Sequence, residues 1–341
     1  MVSGGLVAAL VVASGWDAGS VAGPGEREPL AVLLLGPTGS GKTTLALALG
    51  GEFRGEVVSC DSVAVYRGMD IGSAKPSVAE RSQLPHHLID VAEPNEEFSA
   101  GEYSRLARAA LRGIALRGGL PLVTGGTGLY LRALTMGLFA GPERRPELRA
   151  RLLSSQEKHG GVWLRRVLER MDGKAAERIH GKDIPKLIRA IEVCVSAGRP
   201  MSELLASGRD ALTGFRLLRI GLAPPREALY ARLNARAEKM FRDGLVEETR
   251  GLLARFGEVR SLETLGYRQA ASVVRGERTL EEAIVAAQQG HRNYAKRQWT
   301  WFRREPDVHW IEGFGEAGET IARARELVIR SLDCLDGCVP R

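Results

Sequence analysis

Cysteine is scarce in this chain: Cys60, Cys194, Cys334 and Cys338 are the only four in 341 residues. They are too scattered for a disulfide framework or a four-ligand zinc site, and no His pair lies near Cys334 and Cys338. Incidental thiols in a reducing cytosol is the reading that remains. Long apolar runs are missing too. Leu6–Ala13 is too short to span a bilayer, and no Lys or Arg precedes it as a signal peptide requires. No N-K-x-D element for guanine occurs anywhere, which removes a GTP-dependent switch. Lysine is rare, eight against 40 Arg, and a genome that favours Arg codons accounts for that ratio by itself.

Codon preference does not account for where the charge sits. Of a net +7, residues 143–199 hold 14 basic and 8 acidic side chains, an excess of six in one short stretch. A localised positive field suits a polyanion such as nucleic acid; a solvated helical face is the plainer alternative. An apolar fraction of 44% is ordinary for a globular protein, and the length allows one large or two modest domains. Residues 1–29, rich in Gly, Ala and Pro from Gly15 onward, read as a disordered extension or a start site placed too far upstream.

The apolar run Leu30–Leu35 leads directly into residues 36–43, GPTGSGKT. This is the G-x-x-x-x-G-K-[ST] loop at the point where a strand feeds a helix. Its glycines Gly36, Gly39 and Gly41 let successive N–H groups of the loop, through Pro37, Thr38 and Ser40, point into one concavity. Lys42 adds a point charge, the Thr43 hydroxyl can hold Mg²⁺, and the helix from Thr43 to Leu49 aims its positive end at an anion. The segment is a polyphosphate site, of a polyphosphate the loop alone does not name.

Two further glycine-rich segments follow predicted strands. Val57–Cys60 leads into Asp61-Ser62, at the strand edge that faces the ligand crevice of an open α/β sheet, and on through Arg67-Gly68-Met69-Asp70-Ile71-Gly72. Asp61 is either a chemical group or the cap of the next turn. Leu120–Thr124 leads into Gly125-Gly126-Thr127-Gly128, where glycines admit a ligand close to the backbone unless they serve a simple turn. An apolar stretch at His87–Val91, a helix at Arg105–Leu116 and a strand at Phe215–Leu222 complete the alternation. Helices Arg226–Arg242, Leu245–Phe256 and Leu280–Arg303 follow. The expected fold is a P-loop nucleotide-kinase-like α/β core over 30–142 and 214–329. A basic, all-helical insertion at 143–213, broken at Gly160-Gly161, interrupts it, and 330–341 reads as a tail.

Read together, these segments resemble the tRNA dimethylallyltransferase (tRNA isopentenyltransferase) family. The family motifs stand here, in order, at 36–43, 61–76, 86–90, 125–130, 266–268 and 295–303, covering about residues 30–311. The resemblance implies transfer of a dimethylallyl group from dimethylallyl diphosphate to N6 of the adenine just 3′ of a tRNA anticodon, with Mg²⁺ and no phosphoryl transfer. It implies that the loop grips the isoprenoid diphosphate and that Asp61 accepts the N6 proton. Thr127 then bridges Asp61 and substrate, and Arg236 reaches the diphosphate. The positions matching the family's tRNA contacts are Asp61, Ser62, Val63, Ala64, Thr127, Arg149, Pro185, Lys186, Arg189, Gly266, Tyr267, Arg268, Lys296, Arg297 and Arg303. Trp299, Trp301 and Phe302 read as core rather than as stacking platforms. Ala64, Pro185 and Glu263 depart from the common pattern, which bears on tRNA affinity or preference. A cytoplasmic monomer acting on the anticodon stem-loop, with no membrane partner, is expected. A small-molecule kinase and an isopentenyltransferase of free adenine nucleotides share the core motifs; the basic insertion and the Arg/Lys-rich last helix argue for tRNA.

Overall fold

A computed structural model of the chain describes residues 28–139, 141–206 and 208–333. The elements run β1 (Leu30–Leu35), α1 (Lys42–Phe53), β2 (Gly55–Ser59), α2 (Val78–Gln83), β3 (His86–His87), α3 (Ala100–Leu116), β4 (Leu120–Thr124) and α4 (Gly128–Thr135). Then come α5 (Pro146–His159), α6 (Gly161–Met171), α7 (Gly173–Arg178), α8 (Ile184–Ala197) and α9 (Met201–Ala206). The chain ends its described course with β5 (Arg216–Ala223), α10 (Arg226–Arg242), α11 (Leu245–Phe256), α12 (Tyr267–Val274), α13 (Leu280–Phe302), β6 (Val308–Glu312) and α14 (Gly318–Asp333). Two compact units result: 28–131 with 213–333, and Arg132–Leu212.

In the first unit all six strands are parallel, in the order β3-β2-β4-β1-β5-β6. β1 lies inside the sheet, and its six residues LAVLLL are all buried because helices must cover both faces of a parallel sheet. Parallel strands end at one edge. Since β2, β4 and β1 are neighbours, the segments after them meet there, although they lie tens of residues apart in sequence. Leu34, Leu45, Leu49, Leu122 and Ile220 form the core beneath that edge.

Several boundaries differ from the sequence reading. The stretch expected as a strand at His87–Val91 pairs with β2 only at His86–His87. Leu88 and Asp90 take left-handed φ of 62° and 57°, which turns the backbone out of the ladder. The expected tail at 330–341 begins too early, because α14 continues to Asp333; Cys334 and Cys338 lie outside the described residues, as do residues 1–27. β6 was not foreseen. It is an edge strand with Ile311 alone fully buried, so it shows neither an apolar run nor clean alternation.

The second unit is all-helical, as expected, but begins at Arg132, within α4, instead of at 143. Leu152, Leu164, Leu168, Leu187 and Ile191 form its core. The break falls where the sequence places it, with Gly160 at φ 76° between α5 and α6. Asp172 ties α7 to α9, with Oδ1 accepting from Ala175 N at 3.0 Å and Oδ2 from Ser202 N at 2.7 Å.

Candidate active site

The loop at 36–43 leaves β1 and bends into α1 through Gly36, Gly39 and Gly41, at φ 137°, 79° and 90°. Gly41 admits no side chain for a second reason: a Cβ there would lie 2.6 Å from the backbone N of Gly315. α1 starts without a side-chain cap and without an acidic residue in its first turn, so its N–H groups remain open to an anion. Lys42 is buried, and its Nζ donates to the carbonyls of Gly36 and Pro37, both at 2.8 Å. Burial and then the nearby Arg236 charge push its ammonium down to about 7, while Asp61 pulls the other way. A bound anion beside the loop would oppose that shift.

A cleft of about 480 Å³ opens beside the loop and brings together Lys42, Thr43, Asp61, Arg232 and Arg236. Asp61 takes both roles considered for it. Oδ1 caps the next turn, accepting from Val63 N at 2.8 Å and Ala64 N at 3.3 Å. Oδ2 has no hydrogen-bond partner among the described residues. The Thr127 hydroxyl does not bridge to Asp61. It accepts from Ser62 N at 3.0 Å and donates to Ser62 Oγ at 3.2 Å. Arg236 is held by Thr38 Oγ1 at 3.4 Å, and burial lowers its pKa, with Asp61 opposing.

The glycines of 125–128 serve packing. A Cβ on Gly125 would lie 2.1 Å from Cys60 O, one on Gly126 2.0 Å from Gln298 Nε2, and one on Gly128 2.3 Å from Trp301 Nε1. The protein's own backbone and side chains make this close approach, and Gly125 and Gly126 line the cleft as well. Cys60 is equally internal, its thiol pushed up to about 12 chiefly by burial.

The loop 67–76 is held from outside. The Glu248 carboxylate accepts from Asp70 N at 3.2 Å, from Ile71 N at 3.0 Å and from Tyr267 OH at 2.6 Å. Lys75, whose side chain is 2% exposed, donates to Tyr66 O and pairs with Asp70 at 2.8 Å and Asp90 at 2.6 Å. Tyr267 is fully buried, so the expected tRNA contact through its side chain is corrected: it braces this loop, and burial with the Glu248 charge raises its pKa. Gly266 is buried as well, and only Arg268 of that trio is exposed.

In the helical unit, the Glu192 carboxylate is 0% exposed and receives Arg189 at 2.8 Å, Arg149 at 3.9 Å and the backbone N of Arg145 at 2.7 Å. Burial pushes Glu192 up, but these donors and charges hold it below the usual carboxylate range. Arg149 and Arg189 therefore assemble the unit. Lys186 stays largely exposed beside Asp183, and Pro185 stands in the first turn of α8, where its missing N–H costs nothing.

Sequence reasoning missed Gln298, Tyr294, Lys75, Arg232 and Glu316, all on the cleft. Arg232 was findable, since it precedes Arg236 by one helical turn. It donates to Gly39 O at 3.1 Å and pairs with Glu316. Glu316 had no signal, because it follows the unforeseen β6. His291 is also buried near Arg236. Burial and that charge push it down to about 4, so it is neutral at pH 7.

The family model for IPP transferase matches residues 64–305. A tRNA dimethylallyltransferase of Koribacter versatilis (strain Ellin345) is 59% identical over 302 residues, 88% of this chain and 98% of the relative. One from Solibacter usitatus (strain Ellin6076) is 52% identical over 303 residues, again 88% and 98%. Among solved structures, the tRNA isopentenylpyrophosphate transferase of Bacillus halodurans superposes with a TM-score of 0.67 at 35% identity, covering 90% of this chain and 97% of that one. A eukaryotic dimethylallyltransferase acting on tRNA gives 0.75 at 25% identity, covering 90% and 79%.

Proposed function

The chain belongs to the IPP transferase family, and from that premise we propose that it moves a dimethylallyl group from dimethylallyl diphosphate to N6 of the adenine 3′-adjacent to the anticodon (position 37) in tRNA. The observation that carries the mechanism is the shared cleft: a carboxylate with an unpartnered oxygen faces the same cavity as the phosphate loop and two arginines. The N6 lone pair is delocalised into the purine ring, so the amine is a poor nucleophile. Attack forms the N6–C1 bond as the C1–O bond breaks, and the bonding pair leaves on diphosphate. Asp61 Oδ2 takes the N6 proton, while Oδ1 stays on the turn and keeps the carboxylate oriented. The loop N–H groups, Lys42, Arg236 and Arg232 stabilise charge that grows on the leaving group.

No group of three or more His, Cys, Asp or Glu among the described residues is arranged to hold a metal. A cation in the cleft would complete its shell with diphosphate oxygens and water, the regime Mg²⁺ favours, and Thr43 fits as its hydroxyl ligand. When bound, such an ion neutralises charge on the leaving diphosphate. Lys186, Arg268, Lys296, Arg297 and Arg303 are exposed cations, which suits phosphate contacts with an anticodon stem-loop. The target base must leave its stack to enter the cleft. We place the reaction in the cytoplasm, by a monomer on one tRNA. Among the described residues no helix is long and apolar enough to cross a membrane.

Incubation with radiolabelled dimethylallyl diphosphate and either unmodified tRNA or AMP tests the assignment. Label is expected on tRNA. Label on AMP alone, or consumption of the γ-phosphate of ATP in place of transfer, overturns it.

A further inference from the structure

A second cavity, about 420 Å³, lies across the wall formed by the phosphate loop and α13. Pro37 and Trp299 line it, whereas their neighbours Thr38 and Gln298 line the catalytic cleft. Tyr230 and Trp299, both half-buried, supply its aromatic surfaces. Trp299 is fixed edge-on against Trp310 of β6, centroids 4.9 Å apart, so it is a rigid platform. This corrects the reading of Trp299 as core; Phe302, at 1% exposure, is core as expected.

The charges around this cavity are of one sign. Arg226 sits over the Tyr230 ring at 5.1 Å and Arg303 over the Trp299 ring at 5.4 Å, while Lys296 lines the cavity itself. None of the three has a carboxylate partner among the described residues, in a protein that pairs many of its arginines. Rigid aromatic faces under unpaired cations recognise a ligand with a flat π-system and a phosphate. A purely apolar occupant would leave the two lining cations, Arg226 and Lys296, unanswered.

We propose that this cavity is a second nucleotide subsite: it takes one unstacked nucleotide of the tRNA beside the reacting adenine. The base lies against Trp299 and Tyr230, and its phosphate meets Lys296 and Arg226. This rests on the tRNA reading above, and adds a hold on the strand at a point separate from the cleft. The energetic role is to fix the neighbouring nucleotide once the adenine has left the stack.

The test uses the full-length protein and an unmodified anticodon stem-loop RNA. Transfer by the unaltered protein is measured first; if it fails on RNA, the functional assignment fails, whatever the cavity does. Given transfer, Trp299→Ala is expected to raise the RNA Kd roughly five- to hundredfold, the range for loss of one base–aromatic stack. The KM for dimethylallyl diphosphate should stay unchanged, and Trp299→Phe should recover most of the RNA affinity. Arg226→Gln, on the opposite wall and exposed, should weaken RNA binding and lower the salt dependence by about one phosphate contact. The proposal is overturned if both Trp299→Ala and Arg226→Gln bind RNA as the unaltered protein does. It is also overturned if AMP competes with the RNA in the unaltered protein but not in Trp299→Ala, since the occupant is then a free nucleotide.

Discussion

The side-chain amide of Gln298 joins Thr38 to Gly126: Oε1 accepts from Thr38 N at 2.7 Å, and Nε2 donates to Gly126 O at 2.9 Å. One residue on α13 thus sets the spacing between the phosphate loop and the turn that carries Thr127. Replacing it with Leu leaves the Thr38 N–H without its acceptor, costing about 1–3 kcal/mol where water is excluded, while Gly126 O keeps the Tyr294 hydroxyl at 3.3 Å. Gln298→Leu is expected to lower the unfolding free energy by about 2 kcal/mol and to raise the KM for dimethylallyl diphosphate several-fold. Urea denaturation and substrate titration read the two effects; an unchanged KM would remove Gln298 from the site.

Lys42 gives a pH dependence with a definite sign. With its pKa near 7 in the empty cleft, it is largely neutral at pH 8 and must take up a proton when an anion binds. Diphosphate affinity should therefore fall with rising pH above about 7, by up to roughly tenfold per unit. Calorimetry at pH 8 in buffers of different ionisation enthalpy should show uptake of close to one proton, absent in Lys42→Gln. The same depressed pKa disfavours the charged form in the fold, so the empty protein gains stability as pH rises from about 7 toward 10.5.

Asp61→Asn separates the two roles of this carboxylate better than Asp61→Ala. Asparagine keeps an oxygen for Val63 N and Ala64 N but cannot accept the N6 proton. Single-turnover transfer should fall by about 10²–10⁴-fold, the usual worth of a general base, with tRNA binding largely retained in a filter assay. Near-normal transfer would sink the general-base assignment.

Glu248 and Tyr267 should behave unequally. Tyr267→Phe removes two hydrogen bonds, the donation to Glu248 and the acceptance from Gly72 N at 3.2 Å, and is expected to cost about 2 kcal/mol. Glu248→Gln costs more, because its amide nitrogen must face N–H donors of the 70–72 loop. Equal losses in paired denaturation curves would contradict this account.

Motifs and long strands were legible because their physics is local. Leu30–Leu35 and Leu120–Thr124 are strands at the predicted residues, and Arg226–Arg242 and Leu245–Phe256 are helices at theirs. Lys42, Asp61 and Arg236 do meet in one cleft. What failed to show was what depends on distant partners. Nothing near Tyr267 in sequence announces that Glu248 will bury it, and nothing near Arg189 announces Glu192 as a shared carboxylate. The glycines at 125–128 mark a close approach either way; only the fold tells whether it is to a ligand or to Cys60 and Gln298.

The backbone N of Gly315 donates to Ser40 O at 2.8 Å, so the stretch between β6 and α14 forms an outer wall of the phosphate loop. On the ribosome, the loop at 36–43 emerges early, yet its supporting wall is made some 270 residues later. A nascent chain halted before residue 313 would hold the whole phosphate motif and lack Gly315 and Glu316 beside it. The wall around this loop is thus complete only once synthesis has passed almost the entire described fold.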